Sequence, residues 1–166
     1  MAKVVGAEIF PVDIGVNTDR IFPGVISRKV KKGTNDFLLK PAMSEREAMQ
    51  AVRVGMELVK ECKEAGYTLL GTGEMGIGNT TTSAAMAAAL LSVPPEIVAG
   101  RGAGLSDEGL VRKRQVIAAA LEKYQLRETE PMRILCSVGG LDIAGLCGVF
   151  LGGAKYHMPI VADGVI

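Results

Sequence analysis

Short apolar runs alternate along the chain with stretches of helical spacing. Residues 4–14 are largely apolar and β-branched, which predicts a buried strand that runs into a loop at Asp13-Ile14-Gly15. Further runs of strand length lie at residues 67–70, 132–138 and 159–162. The pattern therefore predicts strands spread over the whole chain rather than clustered at one end.

Helical spacing separates these runs. Ser44 and Glu47 form a capping box, the signature of a helix start. Apolar residues then recur on one face to about Cys62, with Gly66 beyond the end: Ala48, Val52, Met56 and Val59. Further helices are predicted over residues 80–91, from Ser106 onward, and over residues 142–153.

Strands alternating with helices predict an α/β fold: a Rossmann-like parallel sheet with flanking helices. Residues 1–166 are predicted to form one α/β core. The predicted order starts on a strand and stops just after one, without a covering helix. We therefore expect an incomplete core of a larger domain, with ligands bound beyond the carboxyl ends of the strands, where glycine loops fall.

Composition narrows the classes of partner. The 166 residues hold 19 Lys and Arg against 18 Asp and Glu, a net charge of +1, so no basic surface for nucleic acid is expected. Glycine occurs 21 times while aromatic residues are only 4%, which favours closely packed backbone and ligand-cradling loops. Residues 24–36 carry four basic side chains, typical of a solvated edge or of an anion-facing or subunit-contacting loop.

Three scattered cysteines and one histidine form neither a disulfide framework nor a metal motif. Buried thiols in a reducing cytoplasm are the expectation. The N-terminus lacks signal-peptide character, and no apolar run reaches 18 residues. We predict a cytoplasmic protein without a membrane segment.

Gly71, Gly73 and Gly76 follow a predicted strand and precede a helix, the formal fingerprint of a dinucleotide site. The acid expected about twenty residues further on is represented only by Glu96, which is poorly placed after two prolines. Glu74 inside the loop would also repel a pyrophosphate. A dinucleotide-dependent oxidoreductase domain remains the less favoured alternative.

A mononucleotide site fits the same residues better. Asn79, Thr80 and Thr81 stand at a helix start, where backbone N–H groups and hydroxyls can hold a phosphate or a sugar. Glu74 could accept hydrogen bonds from ribose hydroxyls, and Lys113 would add a charge for a phosphate. Helix caps and a solvated helix lysine are the structural alternatives.

Three ordered motifs carry a resemblance across nearly the whole chain: residues 73–81 (GEMGIGNTT), 100–113 and 138–145 (VGGLDIAG). They resemble the nicotinate-nucleotide–dimethylbenzimidazole phosphoribosyltransferase family. The resemblance implies transfer of phosphoribose from nicotinate mononucleotide to dimethylbenzimidazole, with inversion at the anomeric carbon. This step prepares the lower ligand of cobalamin and implies no metal or organic cofactor.

The resemblance also assigns roles by position. Glu74 matches the family's acidic residue near ribose and base, where a carboxylate would stabilise positive charge on the ribose as nicotinate departs. Lys113 matches its phosphate lysine. The positions expected to bind substrate are Gly76, Asn79, Thr80, Thr81, Gly102, Lys113 and Asp142.

Family members are much longer, and their general base is a glutamate in a Gly-Glu-Gly segment that has no match here. The chain is therefore expected to be the family's central core, truncated at both ends and weak or inactive by itself. A non-catalytic nucleotide-binding or assembly module, completed by another chain, is the main alternative. Uncovered strands would leave apolar surface, so a homodimer is expected.

Overall fold

The computed structural model describes residues 2–164 and 166, which form six α-helices, two pairs of short strands and a 3₁₀ turn at Ala2–Val4. The helices are α1 (Glu45–Glu64), α2 (Thr80–Leu90), α3 (Pro95–Val98), α4 (Asp107–Tyr124), α5 (Pro131–Val138) and α6 (Leu141–Tyr156). The strands are β1 (Val12–Asp13), β2 (Ile26–Ser27), β3 (Leu70–Gly71) and β4 (Ile160–Val161).

Both strand pairs are parallel. In one pair Val12 lies opposite Ile26, and in the other Leu70 lies opposite Ile160. Helices α2 to α6 all lie in the connection between β3 and β4, as a parallel pairing with a helical crossover requires. The predicted α/β class, with parallel strands and flanking helices, is confirmed.

Residues 132–138 were predicted as a strand, and this prediction is wrong because they form helix α5. Pro131 occupies the first helical position, where its fixed φ and missing N–H are tolerated. Ile134, Leu135 and Val138 are buried at helical spacing. An apolar run of this length does not by itself distinguish a buried helix from a buried strand.

The strand predicted over residues 4–14 reduces to Val12–Asp13. Val4 and Ile9 are 87% and 73% exposed, so the preceding residues do not lie in a core. Strand β2 was missed, because its two residues stand within a basic, glycine-containing segment that is typical of a loop. Its role is to pair with β1.

The basic side chains around β2 form ion pairs within the chain. The pairs are Arg28 with Glu61, Lys29 with Asp13, Lys31 with Glu47, and Lys32 with Asp19. Lys29 also donates hydrogen bonds to the carbonyl oxygens of Val16 and Thr18, at 2.7 Å each. These cations are therefore matched by local acids, which removes the basis for an anion-facing loop.

Helix α1 begins as predicted. The Ser44 hydroxyl accepts a hydrogen bond from the N–H of Glu47, whose carboxylate accepts one from the N–H of Ser44. Ala48, Val52 and Val59 are buried on its inner face. The helix packs along α6, and the two backbones approach so closely that glycines are required at the crossing.

Four glycines line the contact between α1 and α6: Gly55, Gly145, Gly148 and Gly152. A Cβ on Gly55 would overlap the carbonyl oxygen of Gly145, and one on Gly148 would overlap that of Val52. These glycines therefore serve helix packing rather than ligand binding.

The buried residues form two apolar clusters. One joins α2, α4 and α5 and includes Ala85, Ile117 and Ile134, while the other joins α1, α5 and α6 and includes Val52 and Leu141. Alanines rather than aromatic side chains fill the buried face of α2. The first cluster therefore holds α2 against α4 and α5, and the predicted site residues lie at the N-terminus of α2.

Within the described residues, none of the helices is both long and apolar enough to cross a membrane. The three cysteines are free thiols, and the expectation that they are buried is wrong for Cys147, which is exposed on α6. Cys62 and Cys136 are partly buried, and burial raises the pKa of both thiols.

Candidate functional site

The loop between β3 and α2 places Glu74 at the carboxyl end of a strand pair. Gly76 and Gly78 adopt φ values of +68° and +77°, a left-handed conformation that glycine adopts without penalty. This path turns the chain back so that Glu74 Oε2 accepts hydrogen bonds from the Gly76 N–H and from Asn79 Nδ2, the latter at 2.6 Å. The loop is therefore built around an acidic side chain.

This arrangement disfavours a dinucleotide site. The backbone N–H groups of such a glycine loop normally donate to the pyrophosphate. Here the N–H of Gly76 already donates to the Glu74 carboxylate. A pyrophosphate would have to displace a negatively charged group from within the same chain.

Asn79 joins Glu74 to a second carboxylate. Its Nδ2 also donates to Asp142 Oδ2 at 2.8 Å, across 63 positions of sequence. Asp142 stands in the first turn of α6, where the helix dipole favours negative charge. Glu74, Gly76, Asn79 and Asp142 therefore come together as one acidic group at the starts of α2 and α6.

The capping alternative for Asn79 is wrong. Asn79 stands at the N-cap of α2, but its side chain accepts no hydrogen bond from the helix. It is only 8% exposed, and its Oδ1 has no hydrogen-bond partner among the described residues. A buried unpaired acceptor costs about 1–3 kcal/mol, so the side chain is oriented for its two carboxylates at the expense of stability.

Lys113 lies on the other side of the same helix start. Its side chain reaches from α4 to donate to Thr80 Oγ1 at 2.9 Å and to the Gly100 carbonyl oxygen at 3.0 Å. Only 5% of the residue is exposed, and burial lowers the pKa of the ammonium group. The alternative of a solvated helix lysine is therefore wrong.

Both oxygens that Lys113 contacts are neutral, and in the described part of the chain no carboxylate forms an ion pair with it. An ammonium has three N–H donors, of which two are used. A buried cation without a counter-charge is electrostatically complementary to an anion. This is the physical basis for expecting a phosphate here.

A second glycine-rich loop, residues 100–104 between α3 and α4, shapes the Lys113 side of the site. Gly102 has φ +58°, and a Cβ there would lie 2.6 Å from Thr80 Oγ1. Glycine at this position therefore lets the loop close onto Thr80, the hydroxyl that Lys113 contacts. Thr80, Gly102 and Lys113 form a second, cationic group, which meets the acidic group at the consecutive residues Asn79 and Thr80.

The side chain of Thr81 joins neither group by a hydrogen bond among the described residues, although Thr81 stands in the first turn of α2. Two further hydroxyls lie at the start of α2 and hold the Asn79 backbone: Thr82 and Ser83 both donate to the Asn79 carbonyl oxygen at 2.8 Å. Neither residue was predicted from the sequence to lie at the site. Their spacing of three and four residues from the N-cap was the available signal.

Asp163 and Gly164 were also missed as site neighbours. Asp163 donates its N–H to Thr72 Oγ1 at 3.3 Å, and a Cβ on Gly164 would lie 3.9 Å from Glu74 Oε1. The segment after β4 therefore runs beside the loop after β3. The signal was an acid directly after a predicted strand, since parallel strands end at one edge of a sheet.

Among the described residues, no three His, Cys, Asp or Glu side chains are arranged to hold a metal ion. The donors that the site offers are instead an ammonium group, hydroxyls and helix N–H groups on one side. Two carboxylates lie on the other. This set is suited to an organic ligand with a phosphate at one end and hydroxyls or positive charge at the other.

Fold and site together define an α/β protein whose glycine-rich loops and helix starts meet at the carboxyl ends of parallel strands. Within that class, a family model described as phosphoribosyltransferase matches residues 1–166, and the chain belongs to this family. The resemblance carried by the three motifs is thereby confirmed.

Proteins named nicotinate-nucleotide–dimethylbenzimidazole phosphoribosyltransferase are similar along the whole chain. One from Clostridium perfringens (strain ATCC 13124) is 42% identical over 166 residues, which is 100% of this chain and 46% of that protein. One from Alkaliphilus metalliredigens is 49% identical over 168 aligned residues, covering 100% of this chain and 48% of that protein. The chain spans about half the length of the curated relatives it matches.

A solved structure has the same fold. The crystal structure of CobT from Thermus thermophilus matches with a TM-score of 0.89 and 40% sequence identity. The match covers 98% of this chain and 49% of that one. The α/β arrangement described above therefore corresponds to part of a larger protein in that relative.

Proposed function

We propose that this chain provides the nicotinate mononucleotide site of a phosphoribosyltransferase that transfers phosphoribose to dimethylbenzimidazole. The product would be α-ribazole phosphate, the precursor of the lower ligand of cobalamin. The observation that carries the proposal is the opposite charge on the two sides of the α2 start. Lys113 contacts Thr80, and the Glu74 and Asp142 carboxylates contact Asn79, the preceding residue.

On the cationic side, the phosphate of the mononucleotide receives the third N–H of Lys113. The unpaired backbone N–H groups of the first turn of α2 add further donors and a favourable helix dipole. Holding the phosphate fixes the position of the attached ribose. The ribose then extends toward the carboxylates.

On the acidic side, the bond between ribose C1′ and the nicotinate nitrogen breaks, and its electron pair leaves with nicotinate. Positive charge develops on C1′ and the ring oxygen, while one nitrogen of the incoming base forms the new bond on the opposite face. The proton on the other ring nitrogen of that base is released to water. Fixed carboxylates near this charge stabilise it most when water is excluded. In this proposal Glu74 is the catalytic carboxylate, and Asp142 adds a second negative charge beside it.

Binding of nicotinate mononucleotide, measured by calorimetry, tests the first half of the proposal. Lys113→Met should weaken binding about 10- to 100-fold, the value of one hydrogen bond to a charged group. Lys60→Met is the matched control, since Lys60 is an exposed lysine that pairs with Glu64 on α1. Absence of binding at millimolar ligand would contradict the proposal.

A pair of glycine variants tests the shape of the same site. Gly102→Ala should weaken nicotinate mononucleotide binding, because the new Cβ displaces Thr80. Gly24→Ala is the matched control: its φ of +78° is also left-handed, but its Cβ meets nothing within 4 Å, so this variant should bind normally. A product assay for α-ribazole phosphate, with dimethylbenzimidazole added, then measures transfer separately from binding.

We also propose that the chain acts in the cytoplasm as a homodimer. Three free thiols are typical of a reducing compartment. Large apolar side chains are exposed at several places, among them Ile21, Leu39 and Ile77. Burial of such side chains against a second copy would remove apolar surface from water.

A further inference from the structure

The side-chain amide of Asn79 has a role that substrate contact alone does not explain. An amide nitrogen has two hydrogens. Asn79 Nδ2 lies 2.6 Å from Glu74 Oε2 and 2.8 Å from Asp142 Oδ2, so both hydrogens are engaged by carboxylates. This nitrogen is therefore not available to donate to a ligand.

The two carboxylates come from separate elements. Glu74 stands in the loop after β3, and Asp142 in the first turn of α6. Asp142 Oδ1 folds over Gly140, where a Cβ would overlap it. Among the described residues, the Asn79 amide is the group that hydrogen-bonds to both carboxylates.

Without a donor between them, two carboxylates this close would repel each other and move apart. Asn79 offsets that repulsion, and its own backbone position at the α2 N-cap fixes where the nitrogen lies. The Oδ1 atom of Asn79 is buried and accepts no hydrogen bond among the described residues. The side chain is therefore oriented so that its nitrogen meets the two carboxylates, although its oxygen is left without a partner there.

We propose that Asn79 is a positioning residue that holds Glu74 and Asp142 as one pair, so that both negative charges act on a single ribosyl group. This inference rests on the proposed function for its ligand. It goes further by assigning Asn79 an indirect role and by making Asp142 a partner of Glu74.

Asn79→Leu removes the donor at similar size and without an unpaired oxygen. Its affinity for nicotinate mononucleotide should fall at least about tenfold, while its affinity for inorganic phosphate, which contacts the Lys113 side, should stay within about twofold. Asn17→Leu, at an exposed asparagine, is the matched control. An equal loss for both ligands, or no loss, would overturn the proposal.

A double-mutant cycle on Asn79 and Glu74, measured as the affinity for nicotinate mononucleotide, gives a second readout. If Asn79 acts through Glu74, adding Asn79→Leu to Glu74→Gln should cost much less affinity than Asn79→Leu costs alone. Additive losses for nicotinate mononucleotide would show that Asn79 acts on the ligand directly. That outcome would contradict a positioning role.

Nuclear magnetic resonance tests the pair without any ligand. Both side-chain amide protons of Asn79 should resonate downfield, with Glu74→Gln shifting one of them and Asp142→Asn shifting the other. Should wild-type protein show these shifts yet bind no nicotinate mononucleotide, the proposed function fails while the carboxylate pair stands. Failure of both protons to respond would refute the pair itself.

Discussion

At the scale of single residues, Lys113 is the least compensated charge of the site. It is 5% exposed, and it donates to one hydroxyl and one carbonyl oxygen. Transfer of an ammonium group from water to such surroundings is unfavourable when no anion accompanies it. The protein therefore accepts a loss of stability at this position, and a bound phosphate would relieve it.

This loss should depend on pH. Because burial lowers the pKa of Lys113 from 10.5, the unfolded chain binds more protons than the folded one between the lowered value and 10.5. The contribution of Lys113 to the free energy of unfolding therefore rises with pH across that window. Below the window the penalty is present in full.

Lys113→Met should accordingly be more stable than the wild type at about pH 7, and its advantage should shrink at about pH 10. Urea unfolding of both proteins at the two pH values measures this difference. Lys60→Met serves again as control, with no comparable trend. An advantage of Lys113→Met that stays constant with pH would contradict the argument.

The sequence carried much of this residue-scale information. Five residues that the sequence predicts at the site lie in the two adjoining groups of the structure: Glu74, Asn79, Thr80, Gly102 and Lys113. Which residue contacts which was not predictable. The contact between Asn79 and Asp142 depends on where the starts of α2 and α6 lie relative to each other. Residue spacing along the chain does not predict the distance between two residues 63 positions apart.

At the scale of elements, the pair of α1 and α6 is the most closely packed unit. Gly55 and Gly148 bring backbone against backbone, so the contact excludes any side chain. Packing of this kind has little capacity to adjust, because a carbonyl oxygen cannot change rotamer. The glycines here are required by the approach of the helices and not by their φ angles.

Gly148→Ala should lower the free energy of unfolding by about 1–3 kcal/mol or more, because the new Cβ would overlap the Val52 carbonyl oxygen. Gly109→Ala on α4 is the matched control. The three atoms nearest its Cβ would be side-chain atoms of Leu105 and Ser106, at 3.2 to 3.5 Å, rather than backbone. Higher helix propensity should leave this variant as stable as the wild type or up to about 1 kcal/mol more so. Equal destabilisation of both variants in urea would argue against the backbone contact.

The elements were predicted unevenly, for a physical reason. Helix α1 was predictable from its capping box and a one-sided apolar pattern, both of which are local. Helix α5 was not, since eight residues with an apolar face satisfy strand and helix patterns alike. Packing of this segment against both α1 and α2 favours the helix over the strand. Strand β2 depends in the same way on β1 beside it.

At the scale of the whole molecule, the surface is large for the mass. The accessible surface is 10328 Å². A compact monomer of 17.4 kDa is expected to expose about 7,900 Å². The excess is of the size that obligate interfaces bury, which is consistent with the proposed homodimer.

Light scattering should therefore give a mass of twice 17.4 kDa at micromolar concentration. Replacing an exposed apolar residue with a charged one, as in Ile21→Glu, should shift the population toward the monomer if that residue lies in the interface, whereas Glu57→Lys alters charge alone. A single species of 17.4 kDa at the highest concentration that remains clear would contradict the homodimer.

The contact between α1 and α6 also limits how this protein could be diversified. When a side chain blocks a substitution, a second change that shrinks the neighbour restores the fit. At Gly55 and Gly148 the obstacle is main chain, which every amino acid shares. A randomised library selected for folding should therefore return glycine at both positions whatever else varies. A chimera that takes α1 from one parent protein and α6 from another should fold only when both parents have glycine at the positions of Gly55 and Gly148.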